Sequence, residues 1–161
     1  MHTAAALRDL HERSHRSFAA MIEHCRALSA AELDRELPGF GYPSVRLQLH
    51  HAIGAQEYWL GVLVGVVDAD DDADAYPDVA ALAAWRERVF AATEAYLRRA
   101  TDESLNLAKP HQTWGGRVRT FAPAHAILRT QVHLYHHLGQ VAAMCRLLGK
   151  PTDGQLDFPL D

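Results

Sequence analysis

The sequence predicts an all-α fold, a bundle of four long helices, and three observations carry that prediction. Apolar residues recur at three- and four-residue steps in four separate segments, as they do in helices that bury one face. Turn-forming stretches separate those segments, Leu37-Pro-Gly-Phe-Gly-Tyr-Pro43 being the clearest. A chain of 161 residues with 48% hydrophobic content suits one domain over residues 1–161, burying about 70% of its unfolded surface with no outside scaffold.

The elements follow in order. Residues 3–28 read as the first helix, with Leu7, Leu10, Phe18, Met21, Ile22 and Cys25 on its apolar face. Pro43-Ser44 starts a second helix that runs to about Gly65. The linker Asp68–Pro77 carries five Asp but lacks the Gly and Glu of a calcium loop, and reads as a solvated connection. A third helix spans residues 78–100 with Val79, Leu82, Trp85, Val89, Phe90 and Tyr96. Residues 101–122 carry no helical pattern; His111–Trp114 and Arg117–Phe121 read as two short strands around Gly115-Gly116, a hairpin before the last helix. The fourth helix runs from Pro123 to Leu148 and is closed by Gly149, Lys150 and Pro151.

Charge and composition exclude several functions. A net charge of −4 and a pI near 6.2 argue against a nucleic-acid surface, which needs a clustered Lys/Arg excess. The N-terminus lacks an apolar signal region, and no apolar stretch nears the ~20 residues of a membrane helix, so the expectation is a cytoplasmic protein with no membrane partner. Cys25 and Cys145 both lie in helical patterns and read as small buried hydrophobes rather than a disulfide.

The chemistry of the chain lies in its histidines. His133 and His137 stand four apart on the fourth helix, which brings their Cβ atoms to about 6 Å, so two imidazoles can converge on one cation. They border the stripe Val141, Met144, Leu148, while His136 shares a polar face with Arg129 and Gln140 and is left outside the site. His11 and His15 have the same spacing, but Glu12, Arg13 and Arg16 around them read as a solvated face. In the doublet His50-His51, helical phase sets His51 with Leu47, Ala55, Tyr58 and Val62, pointing inward, and His50 with Arg46, Ile53 and Glu57. An inward His is by default a hydrogen-bonded core residue; a metal ligand is the alternative, since imidazoles buried together need partners and a cation supplies them. A joint site requires the second and fourth helices to be neighbours. A di-iron carboxylate centre fails, because Glu12-x-x-His15 has no second copy, and a zincin protease fails, because Leu134 follows His133.

Two segments together, Leu49-His-His-Ala-Ile-Gly-Ala-Gln-Glu-Tyr-Trp-Leu60 and His133-x-x-x-His137-Leu-Gly-Gln140, resemble the DinB/YfiT superfamily of small metal-binding bundles. The likeness extends over nearly the whole chain, including the tail from Gly149 to Pro159. It implies a four-helix bundle with a long crossover, a homodimer, and a triad of His51, His133 and His137 binding a divalent metal such as nickel or zinc. Characterised relatives include thiol-dependent transferases and isomerases, so the resemblance implies a metal-dependent enzyme acting on a small molecule, a low-molecular-weight thiol among them, by thiol transfer or hydrolysis. It assigns no catalytic residue beyond the triad, and a metal-binding bundle without turnover or a purely structural one stands as the alternative. Two departures stand out: His50 doubles a usually single histidine, and Gln56 replaces an acidic residue often found there. Trp59, Trp114, Tyr135, Arg117 and Arg119 are candidate pocket walls.

Overall fold

The structure, a computed structural model, describes residues 1–67, 72–154 and 156–161. The first helix, α1 (Ala4–Cys25), starts where Thr3 accepts from the Ala6 N–H, an otherwise orphaned donor. The expected extension to residue 28 is instead a turn and a short helix, α2 (Ala30–Leu33), because Ser29 and Glu32 form a reciprocal capping box that restarts the helix. Ser44 caps α3 (Val45–Val64), and Asp78 caps α4 (Val79–Arg99). Within the segment read as non-helical, Thr101 and Ser104 cap one more short helix, α5 (Asp102–Asn106). The hairpin is present: β1 (Lys109–Gln112) runs antiparallel to β2 (Val118–Phe121), with Gln112 opposite Val118. Trp114 lies in its turn rather than its strand, and Gly115 and Gly116 take φ of +67° and +74°, where a Cβ is strained. The last helix, α6 (Pro123–Leu147), opens on a proline whose missing N–H costs nothing in the first turn.

The four long helices form a closed ring, α1 against α4 and α6, and α3 against the same two. Their contacts fix direction. Ser17 meets Tyr135, and Cys25 lies beside Cys145, so α1 and α6 run parallel. Gln48 meets Gln140 and Trp59 meets Arg129, so α3 opposes α6; His11 with Phe90 and His15 with Arg86 make α4 oppose α1. Helices α3 and α4 are therefore parallel, and the connection between them is the long crossover: Ala73 O accepts from Arg46 at 2.6 Å, back at the start of α3. Most of the acidic run read as a solvated connection, residues 68–71, lies outside the described residues.

Phe18, Met21, Leu49, Ile53, Leu82, Trp85, Leu134 and Met144 fill the core. Trp85 lies flat against Tyr76 at 4.1 Å and over Gly54, where a Cβ would come to 3.2 Å of the ring. Both cysteines are free and buried, as expected. The tail returns along α1, its carbonyls at Lys150, Asp157 and Pro159 accepting from His24, Ser17 and Arg13. Among the described residues, no helix is long and apolar enough to cross a membrane.

The face bearing His11 and His15 corrects the sequence reading, for both are buried. Helix α4 lays Phe90 and Arg86 over them: His11 stacks on Phe90 at 4.9 Å and donates to its carbonyl at 3.2 Å. Arg86 donates to His15 Nδ1 at 3.1 Å, which leaves the proton on Nε2 to donate to Gln56 Oε1 at 2.7 Å across the bundle. The charged Glu12 and Arg16 that suggested a solvated face are exposed one position away, about 100° around the helix.

Candidate metal centre

Helices α3 and α6 are packed neighbours, and His51 from one meets His133 and His137 from the other. The His133 Nε2 lies 3.3 Å from that of His51 and 3.1 Å from that of His137, and one ligand atom from each of the three falls within a 4.8 Å cluster. Nitrogens around a tetrahedral ion at zinc-like bond lengths stand ~3.3 Å apart, so the spacing suits a shared cation.

The polar neighbours set which nitrogen faces that space. Gln48 Nε2 donates to the Tyr42 carbonyl at 2.9 Å, which fixes the orientation of the amide. Its Oε1 then accepts from His137 Nδ1 at 2.6 Å, so the His137 proton sits on Nδ1 and the Nε2 lone pair points at the other two imidazoles. Gln48 also donates to Gln140 Oε1 at 2.7 Å, and Gln140 Nε2 donates to His136 Nε2 at 2.6 Å. His136 is thus exposed and outside the triad, as the polar face implied. The Tyr42 ring stacks on His51 at 4.0 Å and meets His137 edge-on at 6.0 Å.

Burial disfavours charge on these imidazoles. It takes His137 down to about 3, with the positive charges His133, His51 and His136 would carry adding to the effect. His133 is lowered by burial and by the charges of Arg129 and His136. Neutral imidazoles at neutral pH keep their lone pairs, and three such nitrogens are a donor set that borderline divalent ions accept. The triad can hold a metal ion.

Sequence reasoning reached the three residues by a partly mistaken route. His50, placed on the more polar direction, is the more buried of the doublet, packed on Trp85 at 5.0 Å and Tyr76 at 5.7 Å. His51 is half-buried, because its line on α3 faces the groove toward α6, while Leu49, Ala52 and Ile53 face the core. Gln48 was missed; a glutamine one turn before His51 in an apolar helix was its only sign. Gln56 is remote from the triad, bonded to His15. Of the candidate walls, Trp59 and Arg119 share one cleft, and Trp114 lines a second with Tyr58, whose hydroxyl accepts from the Trp114 N–H at 2.8 Å. Arg117 serves the hairpin turn with its carbonyl, accepting from Thr113. Tyr135 lines neither cleft; it binds Ser17 at 3.1 Å and packs on Phe158 of the tail.

A family model described as the DinB superfamily matches residues 5–141. No curated protein matches the chain.

Proposed function

The chain belongs to the DinB superfamily, and from that premise we propose that it is a metal-dependent enzyme acting on a small substrate, with His51, His133 and His137 as ligands of one divalent cation, nickel or zinc. The observation that carries this reading is the convergence of three imidazoles at 3.1 and 3.3 Å, with the His137 tautomer set by Gln48. A divalent ion bound there would supply a Lewis acid that lowers the pKa of a water or a thiol, which serves thiol transfer or hydrolysis.

The protein's own residues divide the remaining work. Gln48 holds His137 in the ligating tautomer, and Tyr42 limits the motion of His51 by stacking on it. Burial keeps His133 and His137 neutral and so ready to bind a cation without first losing protons. A single domain and a cytoplasmic setting belong to the same proposal, as does a homodimer, which the family likeness implies; a strictly monomeric mass by light scattering across micromolar concentrations would remove the dimer.

Elemental analysis of protein purified without a histidine tag tests the site. The expected outcome is about one divalent ion per chain, lost in His137→Ala because two imidazoles compete poorly with water, and kept in His136→Ala. Stoichiometric metal in His137→Ala, or equal loss in both variants, would refute the assignment. Turnover is then sought with a panel of low-molecular-weight thiols and simple esters and amides; a metal-loaded protein inert to all of them would favour a binding protein over an enzyme.

A further inference from the structure

A cleft between α3, β2 and the first turns of α6 has a composition that the metal reading does not use. Its walls are the Trp59, Phe121 and Ala126 side chains on one hand and Arg119, His125 and Arg129 on the other, around a volume of about 180 Å³. No carboxylate lines it, and among the described residues neither Arg119 nor Arg129 is held in an ion pair. Two such guanidiniums at one opening stand out in a chain of net charge −4. The Arg129 guanidinium lies over the Trp59 ring, 5.5 Å from its centroid, an arrangement that holds the cation in place and leaves its N–H edge for an acceptor.

The apolar wall is itself braced. Phe121 meets Trp59 edge-on at 5.8 Å, and His111, buried in the hairpin, stacks on Phe121 at 4.5 Å. A bare inorganic anion would leave this aromatic wall unpaired, and a neutral aromatic would leave the two arginines unpaired. The volume is below the several hundred Å³ of a site for a drug-sized ligand, which fits a single ring with a short acidic group. Arg129 stands one helical turn before His133 on α6, and Trp59 of the cleft lies on α3 with His51, so the same two helices carry the cleft and the triad.

We propose that this cleft binds a small aromatic carboxylate, its ring on Trp59 and its carboxylate between Arg119 and Arg129, and so presents an organic acid to the triad. The second half of that statement rests on the metal-dependent enzyme reading; the binding does not. Benzoate is therefore titrated into metal-free protein by calorimetry and tryptophan fluorescence, with benzamide and inorganic phosphate as the neutral and the ring-free probes. Benzoate should saturate, weaken as salt is raised, and bind at least about tenfold better than benzamide or phosphate. Arg129→Ala and Arg119→Ala should each lower its affinity by about tenfold or more while circular dichroism stays unchanged. The double variant His133→Ala/His137→Ala should bind benzoate as wild type does, which separates the cleft from carboxylate capture at the triad. Absence of saturation, equal binding of benzamide or phosphate, indifference to both arginine variants, or loss of binding in the double histidine variant would each overturn the proposal. Metal content, measured separately, reports on the triad alone.

Discussion

At His137 one imidazole must donate from Nδ1 and offer a lone pair from Nε2, and the neighbour that decides this is Gln48. An amide accepts that proton without adding negative charge, so the ring keeps a single tautomer while staying neutral. Replacing Gln48 by Met preserves most of its volume but removes the acceptor; metal affinity should fall by about 10- to 100-fold by calorimetry, with helical content retained. Unchanged affinity would mean that the tautomer is set elsewhere. At this scale the sequence showed the identities of the three histidines but not what Gln48 does. Spacing places residues on a face, whereas the partner of each ring nitrogen depends on Å-level packing between two helices.

Single glycines and caps decide where the helices stop. The end of α3 is closed by Gly65 at φ +82°, with the Val66 N–H reaching back to the Gly61 carbonyl at 2.9 Å. Gly65→Ala puts a Cβ in the left-handed region and should cost about 1–2 kcal/mol in urea unfolding, with an unchanged m-value. No loss would show that the turn can rearrange. Boundaries of this kind were legible because Ser44, Asp78, Pro123 and the Gly-Gly hairpin turn each satisfy or break backbone bonds locally. The short helices α2 and α5 escaped notice because their stability comes from single capping boxes rather than from a periodic apolar face.

Two of the buried histidines outside the triad, His11 and His15, tie the stability of the whole bundle to pH. Burial is the main cause that lowers His11, and the main cause that holds His15 well below its usual 6.5, with the nearby His11 and Arg86 charges adding to it. A depressed folded pKa means that the unfolded chain binds more protons below pH 6.5, so this contribution is complete above that value and is lost as pH falls beneath it. Urea midpoints of the metal-free protein should drop between pH 7.5 and 5.5, by up to about 1.4 kcal/mol per pH unit for each proton taken up. His15→Gln should flatten the slope, and an equal slope in both proteins would contradict this account. Metal removal is a different case. The core of Phe18, Trp85, Leu134 and Met144 is apolar and independent of the triad, so a chelator should leave far-ultraviolet dichroism unchanged. Adding metal at a hundredfold excess over Kd contributes about 2.7 kcal/mol, which should raise the melting point by roughly 5–10 °C. Unfolding on chelation would show that the site is structural.

The sequence by itself determined the four long helices, most of their boundaries, the hairpin and, with the family likeness, the three histidines that meet, because periodicity, caps and turn residues act within a few positions of the chain. Helical phase alone could not rank His50 against His51, since both are partly covered, one by Trp85 and the other by the opposing face of α6. Nor could it show that His11 and His15 are buried, because Phe90 and Arg86 lie more than 70 positions away in the chain and reach them only when α4 docks. The cleft beneath Arg119 and Arg129 likewise joins three elements that no local pattern connects. The candidate ligands can be read along one helix or two. Burial, tautomer and pocket shape were decided by the tertiary structure, because each depends on what a distant segment places against a side chain.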